Sequence, residues 1–170
     1  MGYSFTAIYR FWHNQQFAEM LFYSFLGFFI TLFIGHPQII VGIIVNAALV
    51  VAALRLDTAK IIPVILTPSL GVLARGLIFG PYTIYIVYMI PFIWVGNALL
   101  VYFVKKFSAK KIQGLCIGII SKTLFLFSTA FVLVQFNILP VLFMTSFGIM
   151  QLVTAVLGGA GALGIVRIKV

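Results

Sequence analysis

The sequence predicts an all-α, polytopic membrane protein, built as a bundle of six transmembrane helices. Of its 170 residues, 64% are hydrophobic and only 8% are charged, whereas about a quarter of the residues in soluble domains carry a charge. The mean hydropathy is +1.24, and the apolar residues are gathered in segments of about 20 residues, the length of a helix that crosses the bilayer core. The basic residues fall in alternate connections between those segments, which is typical of a multi-pass protein.

The first 16 residues are too polar to cross a membrane. Phe5, Ile8, Tyr9 and Trp12 are spaced so that they share one face of a helix. The segment lacks the basic start, apolar middle and small-residue cleavage site of a signal peptide. We therefore expect residues 1–16 to form a short amphipathic helix in the membrane interface; a frayed tail is the alternative.

Six apolar segments follow within the predicted transmembrane domain, residues 17–166. Turn residues separate several of them, at 35–37, at 80–81 and at 137–140. Residues 167–170 then form a cytoplasmic tail. The predicted spans run from about Phe17 to Ile34, from Gln38 or Ile39 to Leu54, from Ile61 to Phe79, from Tyr82 to Val104, from Ile112 to about Phe136, and from Val141 to about Ile165.

Proline and glycine predict irregular backbone inside three of these spans. Pro63 and Pro68 lie in the third span and Pro91 lies in the fourth. Prolines are tolerated in spanning helices where neighbours or water bind the freed carbonyls, so we expect the third helix to be kinked or locally unwound. The last span is glycine-rich at residues 158–164, and we expect its helix to loosen there.

The distribution of basic residues predicts the orientation. With six spans, nine basic residues fall on the side of the amino terminus and none on the opposite side. The positive-inside rule then places both termini in the cytoplasm, in a multi-pass protein of the plasma (inner) membrane. The nine residues are Arg10, Arg55, Lys60, Lys105, Lys106, Lys110, Lys111, Arg167 and Lys169.

Two further cations lie inside spans. A full charge in hydrocarbon costs at least about 2.5 kcal/mol on insertion scales, so such residues usually face a partner or a cavity. Each cation follows small or hydroxyl residues at four-residue spacing, which lets another helix approach that face closely. The two sets are Gly114, Gly118 and Lys122 in the fifth span and Thr67, Gly71 and Arg75 in the third.

These cations predict a binding site for a small anionic or carboxylate-bearing solute. The chain has two acidic residues, and neither lies at the depth of the two cations, so an external anion would balance their charge. We expect the site to open outward between the third, fourth and fifth spans. Its predicted residues are Arg75, Lys122, Asn97, Asn46, Thr67 and Tyr85.

Structural alternatives stay open for five of these six residues. Arg75 could extend its side chain to the outer headgroups, and Lys122 could bind carbonyls freed by the prolines or pair with Glu19. The two asparagines could form hydrogen bonds between helices. Tyr85 could belong to an aromatic belt at the interface.

The inventory of reactive residues indicates neither an enzyme nor a cofactor protein. Cys116 is the single cysteine and is expected to be buried; His13 and His36 both lie at interfaces. No catalytic residues and no metal site are therefore predicted. The basic residues are spread over several loops, which speaks against nucleic-acid binding.

Part of the chain resembles the substrate-binding S components of energy-coupling factor (ECF) vitamin transporters, through residues 46–56, Pro63 and residues 71–81. The resemblance implies solute uptake with a transmembrane coupling subunit and ATPase subunits as partners. In that family an Ala-x-x-x-Ala face, here Ala48 and Ala52, docks the coupling subunit. The family's long outer loop has no counterpart here, and the motif helix is the second span rather than the first.

An alternative interpretation is a membrane scaffold or accessory subunit that does not transport. Its protein interfaces would be the face of Ala48 and Ala52 and the glycine-rich sixth span, with Gly158 and Ala162.

Nearly the full chain resembles a family of small bacterial membrane proteins, through residues 9–17, 75–82 and 91–97. Members of that family sometimes carry the label iron hydrogenase. One cysteine and no histidine within a span offer no ligand set for the metal chemistry that this label implies.

Overall fold

The computed structural model describes residues 5–34, 36–79 and 84–168, and all regular structure in these ranges is helical. Six of the segments are long and apolar enough to cross a membrane, which confirms the all-α class and the six predicted spans. The elements are α1 (Phe5–Phe29), a π-helical turn (Ile30–Ile34), α2 (Gln38–Arg55), α3 (Thr58–Phe79), α4 (Ile84–Lys106), a 3-10 turn (Ser108–Lys110), α5 (Lys111–Gln135), α6 (Leu142–Phe147) and α7 (Ile149–Ile168).

The helix bounds agree with the predicted spans to within a few residues. Helix α1 runs without a break through residue 16, where a separate interfacial helix was predicted to end; its position in the interface stays a prediction. At the end of α5, Asn137 has a φ of 56°, a left-handed conformation that asparagine tolerates, so the predicted turn forms there. The predicted turns at 35 and 80–81 and the last two residues of the tail lie outside the described residues.

The last span differs from its prediction in where it is irregular. The chain breaks at Gly148, between α6 and α7, whereas the glycine-rich run at 158–164 stays helical. The expected loosening there is wrong because close packing holds that backbone. A Cβ atom at Gly158 would lie 2.4 Å from the carbonyl oxygen of Ile43 in α2, and one at Gly159 would lie 2.7 Å from Leu115 in α5.

Helix α2 forms the centre of the bundle. In its membrane span 50% of the residues are buried, against 17–33% in the other five spans. It packs against α1, α3, α4 and α7, while α5 packs against α4, α6 and α7. Helices α3 and α4, in the segment on which the sequence-based site centres, both pack against α2 and both contribute residues to the core.

The hydrophobic core is divided along the bundle axis. We call the end formed by the connections at 56–57 and 107–110 the basic end. The larger cluster fills the half near that end, where Leu49, Leu56 and Leu100 are at most 2% exposed. A smaller cluster of α4, α5 and α6 residues fills part of the opposite half, around Met89 and Leu126.

Helix α5 presents its small residues to the inside, as its spacing predicts. Gly114 and Gly118 are buried, and a Cβ atom at Gly118 would lie 3.0 Å from the carbonyl oxygen of Leu100 in α4. Cys116 is exposed, which corrects the expectation of a buried thiol. Two residues from either glycine, it lies about 200° around the helix and so faces away from the bundle.

Polar contacts tie the helices together at the basic end. Arg55 pairs with Glu19 at 2.8 Å between Nη2 and Oε1, which joins α2 to α1. Lys60 Nζ donates to Gln16 Oε1 at 2.9 Å, and Lys105 Nζ donates to the carbonyl oxygen of Leu56 at 2.5 Å. A cavity of about 230 Å³ adjoins the ion pair, lined by Gln15, Gln16, Glu19, Leu54 and Arg55.

Candidate functional site

Lys122 is buried in the middle of the bundle and contacts a neutral amide. It lies near the midpoint of the 25-residue helix α5 and is 2% exposed. Its Nζ donates a hydrogen bond to Asn46 Oδ1 at 2.6 Å. Asn46, near the midpoint of the 18-residue α2, is itself 2% exposed. The interior position predicted for Lys122 is therefore confirmed.

The contact extends from α2 to α7 through the other end of the same amide. Asn46 Nδ2 donates to the carbonyl oxygen of Gly42 at 2.9 Å and to Thr154 Oγ1 at 3.3 Å. Thr154 is 3% exposed and lies near the middle of the last span. Lys122, Asn46 and Thr154 thus join α5, α2 and α7 at mid-depth, and we call these three residues the polar centre.

No carboxylate balances the charge of Lys122. The chain has two acidic residues, and both pair with cations toward the basic end: Glu19 with Arg55 at 2.8 Å and Asp57 with Lys60 at 3.5 Å. The amide oxygen of Asn46 supplies only a partial negative charge. A buried cation with a neutral partner keeps much of its desolvation cost.

Arg75 and Thr67 lie along a different helix contact. A Cβ atom at Gly71 would fall within 2.3 Å of Phe28 O, and one at Gly27 would lie 3.6 Å from Thr67 Oγ1, so this face of α3 packs against the first span. Arg75 Nη1 and Thr67 Oγ1 are buried and have no hydrogen-bond partner among the described residues. The polar centre, in contrast, lies between α2, α5 and α7.

Asn97 connects α4 to α3 beside a proline. It is 2% exposed, and its Nδ2 donates to the carbonyl oxygen of Ile65 at 3.2 Å. Pro68 provides no N–H for the neighbouring carbonyl of residue 64, so that carbonyl lacks its usual hydrogen bond within the helix. Trp94 Nε1 donates to Ser69 Oγ at 2.7 Å in the same contact. The arrangement corresponds to the structural alternative for Asn97, a hydrogen bond between helices.

The remaining predicted site residue, Tyr85, lies in an aromatic contact at the end opposite the basic end. Its ring meets that of Phe143 edge to face, with centroids 6.2 Å apart. Phe143 stacks on Phe147 at 5.9 Å. Of the six predicted residues, the structure therefore brings Asn46 and Lys122 together. Arg75 and Thr67 share the contact of α3 with the first span, and Asn97 and Tyr85 lie in two further contacts.

The predicted partner interface is internal. Ala48 and Ala52 are 6% and 0% exposed, Ala162 is 0% exposed, and Gly158 is buried. A Cβ atom at Gly158 would lie 2.9 Å from the backbone nitrogen of Ala47, because small residues let α2 and α7 approach closely. A partner subunit cannot reach these four residues in this fold, since the chain's own helices cover them.

The sequence-based site omitted Thr154 and Gln151. Thr154 precedes Gly158 and Ala162 at four-residue spacing, the same pattern that singled out the faces of Lys122 and Arg75, so a signal was present. Gln151, one turn earlier, carries a buried Oε1 atom that has no hydrogen-bond partner in the part of the chain that the structure describes. Its position in a run of apolar residues gave no comparable pattern.

Comparisons with known proteins do not assign the chain to a family. No family model, no curated protein and no solved structure matches the chain, so both resemblances stay predictions. Within the described ranges, no three His, Cys, Asp or Glu residues come together as a metal site.

Proposed function

We propose that this chain is a membrane transport protein of the plasma (inner) membrane that binds a small anionic or carboxylate-bearing solute at the polar centre. The observation that carries the proposal is Lys122, a buried cation at mid-depth whose partner is the neutral amide of Asn46 at 2.6 Å. Ionisable residues at this depth are expensive and usually serve function.

The chemistry of the polar centre favours an anion. The Lys122 ammonium group has three N–H donors, and Asn46 accepts one of them. A carboxylate or phosphate oxygen would accept another in a charge-assisted bond, which is about twice as strong as a neutral one. Transporters often bind their solutes near the bilayer midplane, where the site is equally distant from both sides.

Arg75 supplies a second cation nearer the opposite end. It lies about one turn from the end of α3, so it is on the order of 10 Å closer to that end than Lys122. Its buried Nη1 atom has no partner among the described residues. In this proposal the guanidinium attracts the anion on entry, and Lys122 holds it at mid-depth.

Coupling to ATP would require other subunits. The chain carries no nucleotide-binding motif, so an ECF-type mechanism would need a coupling subunit and ATPase subunits docked on a surface other than Ala48 and Ala52. Affinity purification from native membranes tests this extension, with recovery of ATPase subunits as the expected result. The scaffold alternative loses its proposed surface because Gly158 and Ala162 are internal.

Thermal unfolding of the purified protein with succinate, benzoate or inorganic phosphate tests the site. A ligand at about 100 times its Kd stabilises the folded state by roughly 2.7 kcal/mol, which raises the Tm by several degrees. We expect at least one probe to do this in the wild type. Lys122→Met should abolish the shift, and Arg75→Gln should weaken it.

For the carboxylate probes, succinate and benzoate, Lys111→Met is the matched control because it removes a lysine from the same helix at the basic end. It should keep the full shift. Each variant is compared with its own ligand-free Tm, so altered stability does not enter the result. No shift in the wild type, or a shift that survives in Lys122→Met, would contradict the proposed site.

A further inference from the structure

The connection between α4 and α5 carries four lysines that differ in their surroundings. Lys105 and Lys106 end α4, Lys110 ends the 3-10 turn, and Lys111 begins α5. Lys105 turns inward and donates to the carbonyl oxygen of Leu56 at 2.5 Å. It therefore caps the end of α2 and belongs to the scaffold.

The other three lysines form a surface that we call the lysine patch: Lys106, Lys110 and Lys111. Lys106 and Lys110 are exposed and Lys111 is half-buried. Both acidic residues of the chain pair elsewhere, with Arg55 and Lys60. The lysine patch therefore has a net positive charge that no carboxylate side chain of the protein balances.

Exposed aromatic and apolar side chains lie directly beside the lysine patch. Lys106 Nζ lies 5.4 Å from the centre of the Tyr102 ring and donates to its hydroxyl at 3.2 Å. Tyr102 is 53% exposed, and Ile112, directly after the patch, is 59% exposed. Tyrosine and lysine beside exposed apolar residues are typical of the membrane interface.

We propose that the lysine patch binds the phosphate of anionic phospholipid headgroups. The three ammonium groups supply point charges and donors for phosphate oxygens, and the neighbouring apolar surface lies against the acyl chains. Clusters of lysine next to a spanning helix attract anionic lipids, by a factor of about five for each lysine. This inference does not depend on the proposed solute site.

Lipid binding to the purified, delipidated protein tests the proposal. The protein is titrated with phosphatidylglycerol or with phosphatidylcholine of the same acyl chains, and native mass spectrometry counts the bound lipids. We expect the wild type to bind phosphatidylglycerol more tightly. The triple variant Lys106→Gln, Lys110→Gln and Lys111→Gln should weaken that binding about tenfold or more and lose the preference.

Two controls separate the charge of the patch from its structural role. The corresponding triple Lys→Arg variant should keep the preference for phosphatidylglycerol. Lys105→Gln should also keep it, although it removes the bond to Leu56. If the triple Gln variant does not fold, the single change Lys110→Gln in the exposed turn replaces it. This variant should bind phosphatidylglycerol about fivefold more weakly than the wild type.

Free glycerol phosphate distinguishes the lipid from a soluble phosphate. We expect it not to displace phosphatidylglycerol at equal concentration, because it lacks the acyl chains. Displacement as effective as that by the lipid would overturn the proposal in favour of a soluble phosphate ligand. Unchanged lipid preference in the Gln variants would overturn it as well.

Discussion

At the scale of single residues, the amide of Asn46 determines how the buried charge of Lys122 is tolerated. Its oxygen accepts a hydrogen bond from Lys122, and its nitrogen donates to the carbonyl oxygen of Gly42 and to the hydroxyl of Thr154. Both polar atoms of the side chain are therefore hydrogen-bonded. Loss of the amide would leave a cation without an acceptor, whereas loss of the lysine would leave only a neutral oxygen without a donor. The two losses differ in cost because a buried charge is more expensive than a buried dipole.

Asn46→Leu should therefore destabilise the protein more than Lys122→Met. We expect a cost of about 1.5–3 kcal/mol for the first, since hydrogen bonds to charged groups are worth that much. The second should cost about 1 kcal/mol at most, because loss of the buried charge offsets the cost of the oxygen left without a donor. The double variant should be more stable than Asn46→Leu alone. Unfolding in a denaturing detergent, followed by circular dichroism, measures all three; simple additivity would show that the two residues are not coupled.

Asn97 should behave as a structural residue rather than a solute contact. Asn97→Leu removes the bond to the carbonyl oxygen of Ile65, and hydrogen bonds between helices in membranes average about 0.6 kcal/mol. We expect a loss of that size in the same unfolding assay. The ligand-induced Tm shift should stay intact. If Asn97→Leu abolished the ligand-induced Tm shift without changing the stability of the ligand-free protein, Asn97 would belong to the binding site.

At the scale of helices, glycine contacts determine how closely the spans approach. Helices α2 and α7 meet through Gly158, α4 and α5 meet through Gly118, and α3 packs on the first span at Gly71. In each case the atoms that a Cβ would meet include backbone atoms of the neighbouring helix. Backbone cannot move aside as a flexible side chain can, so these positions fix the distances between helices.

Two glycines of α7 provide a matched test of this packing. A Cβ at Gly158 would lie 2.4 Å from Ile43 O, whereas one at Gly161 would meet nothing within 4 Å. Gly158→Ala should cost about 1–3 kcal/mol because the helices must separate. Gly161→Ala should be neutral or stabilising by up to about 1 kcal/mol, since alanine favours the helix. Equal Tm values for the two variants would contradict the α2 to α7 contact.

At the scale of the whole molecule, charge is concentrated at one end of the bundle. The connections there carry Arg55, Lys60 and the lysines at 105–111, whereas the connection at 136–141 has no charged residue. Both acidic residues also lie toward this basic end, where they pair with Arg55 and Lys60. From the positive-inside rule we predict that this end faces the cytoplasm.

Cysteine labelling tests that orientation in the Cys116→Ser background, which removes the exposed native thiol. Lys110→Cys should react with a membrane-impermeant maleimide only in inside-out vesicles. Ile138→Cys, in the opposite connection, should react in intact cells. Labelling of Lys110→Cys in intact cells would reverse the predicted topology.

The sequence by itself determined the class, the number of spans and their approximate ends. Hydrophobic length and turn residues act locally, so they can be read without knowing which helices are neighbours. Spacing within one helix also identified the inward face of α5, with Gly114, Gly118 and Lys122, because residues four apart share a face. The irregular point of the last span was misjudged, since glycine content ignores the packing that holds Gly158 in a helix.

Only the tertiary structure decided which polar residues meet. Every span has an apolar surface and small residues, so lipid-facing and helix-facing sides look alike in one sequence, and the order of helices around the bundle has no local signal. The position of α2 at the centre buried Ala48 and Ala52 and brought Asn46 to Lys122 and Thr154, from helices 76 and 108 residues away along the chain. The same arrangement left Arg75 and Asn97 on other contacts, because a residue's depth in the membrane specifies its height in the bundle but not its neighbours.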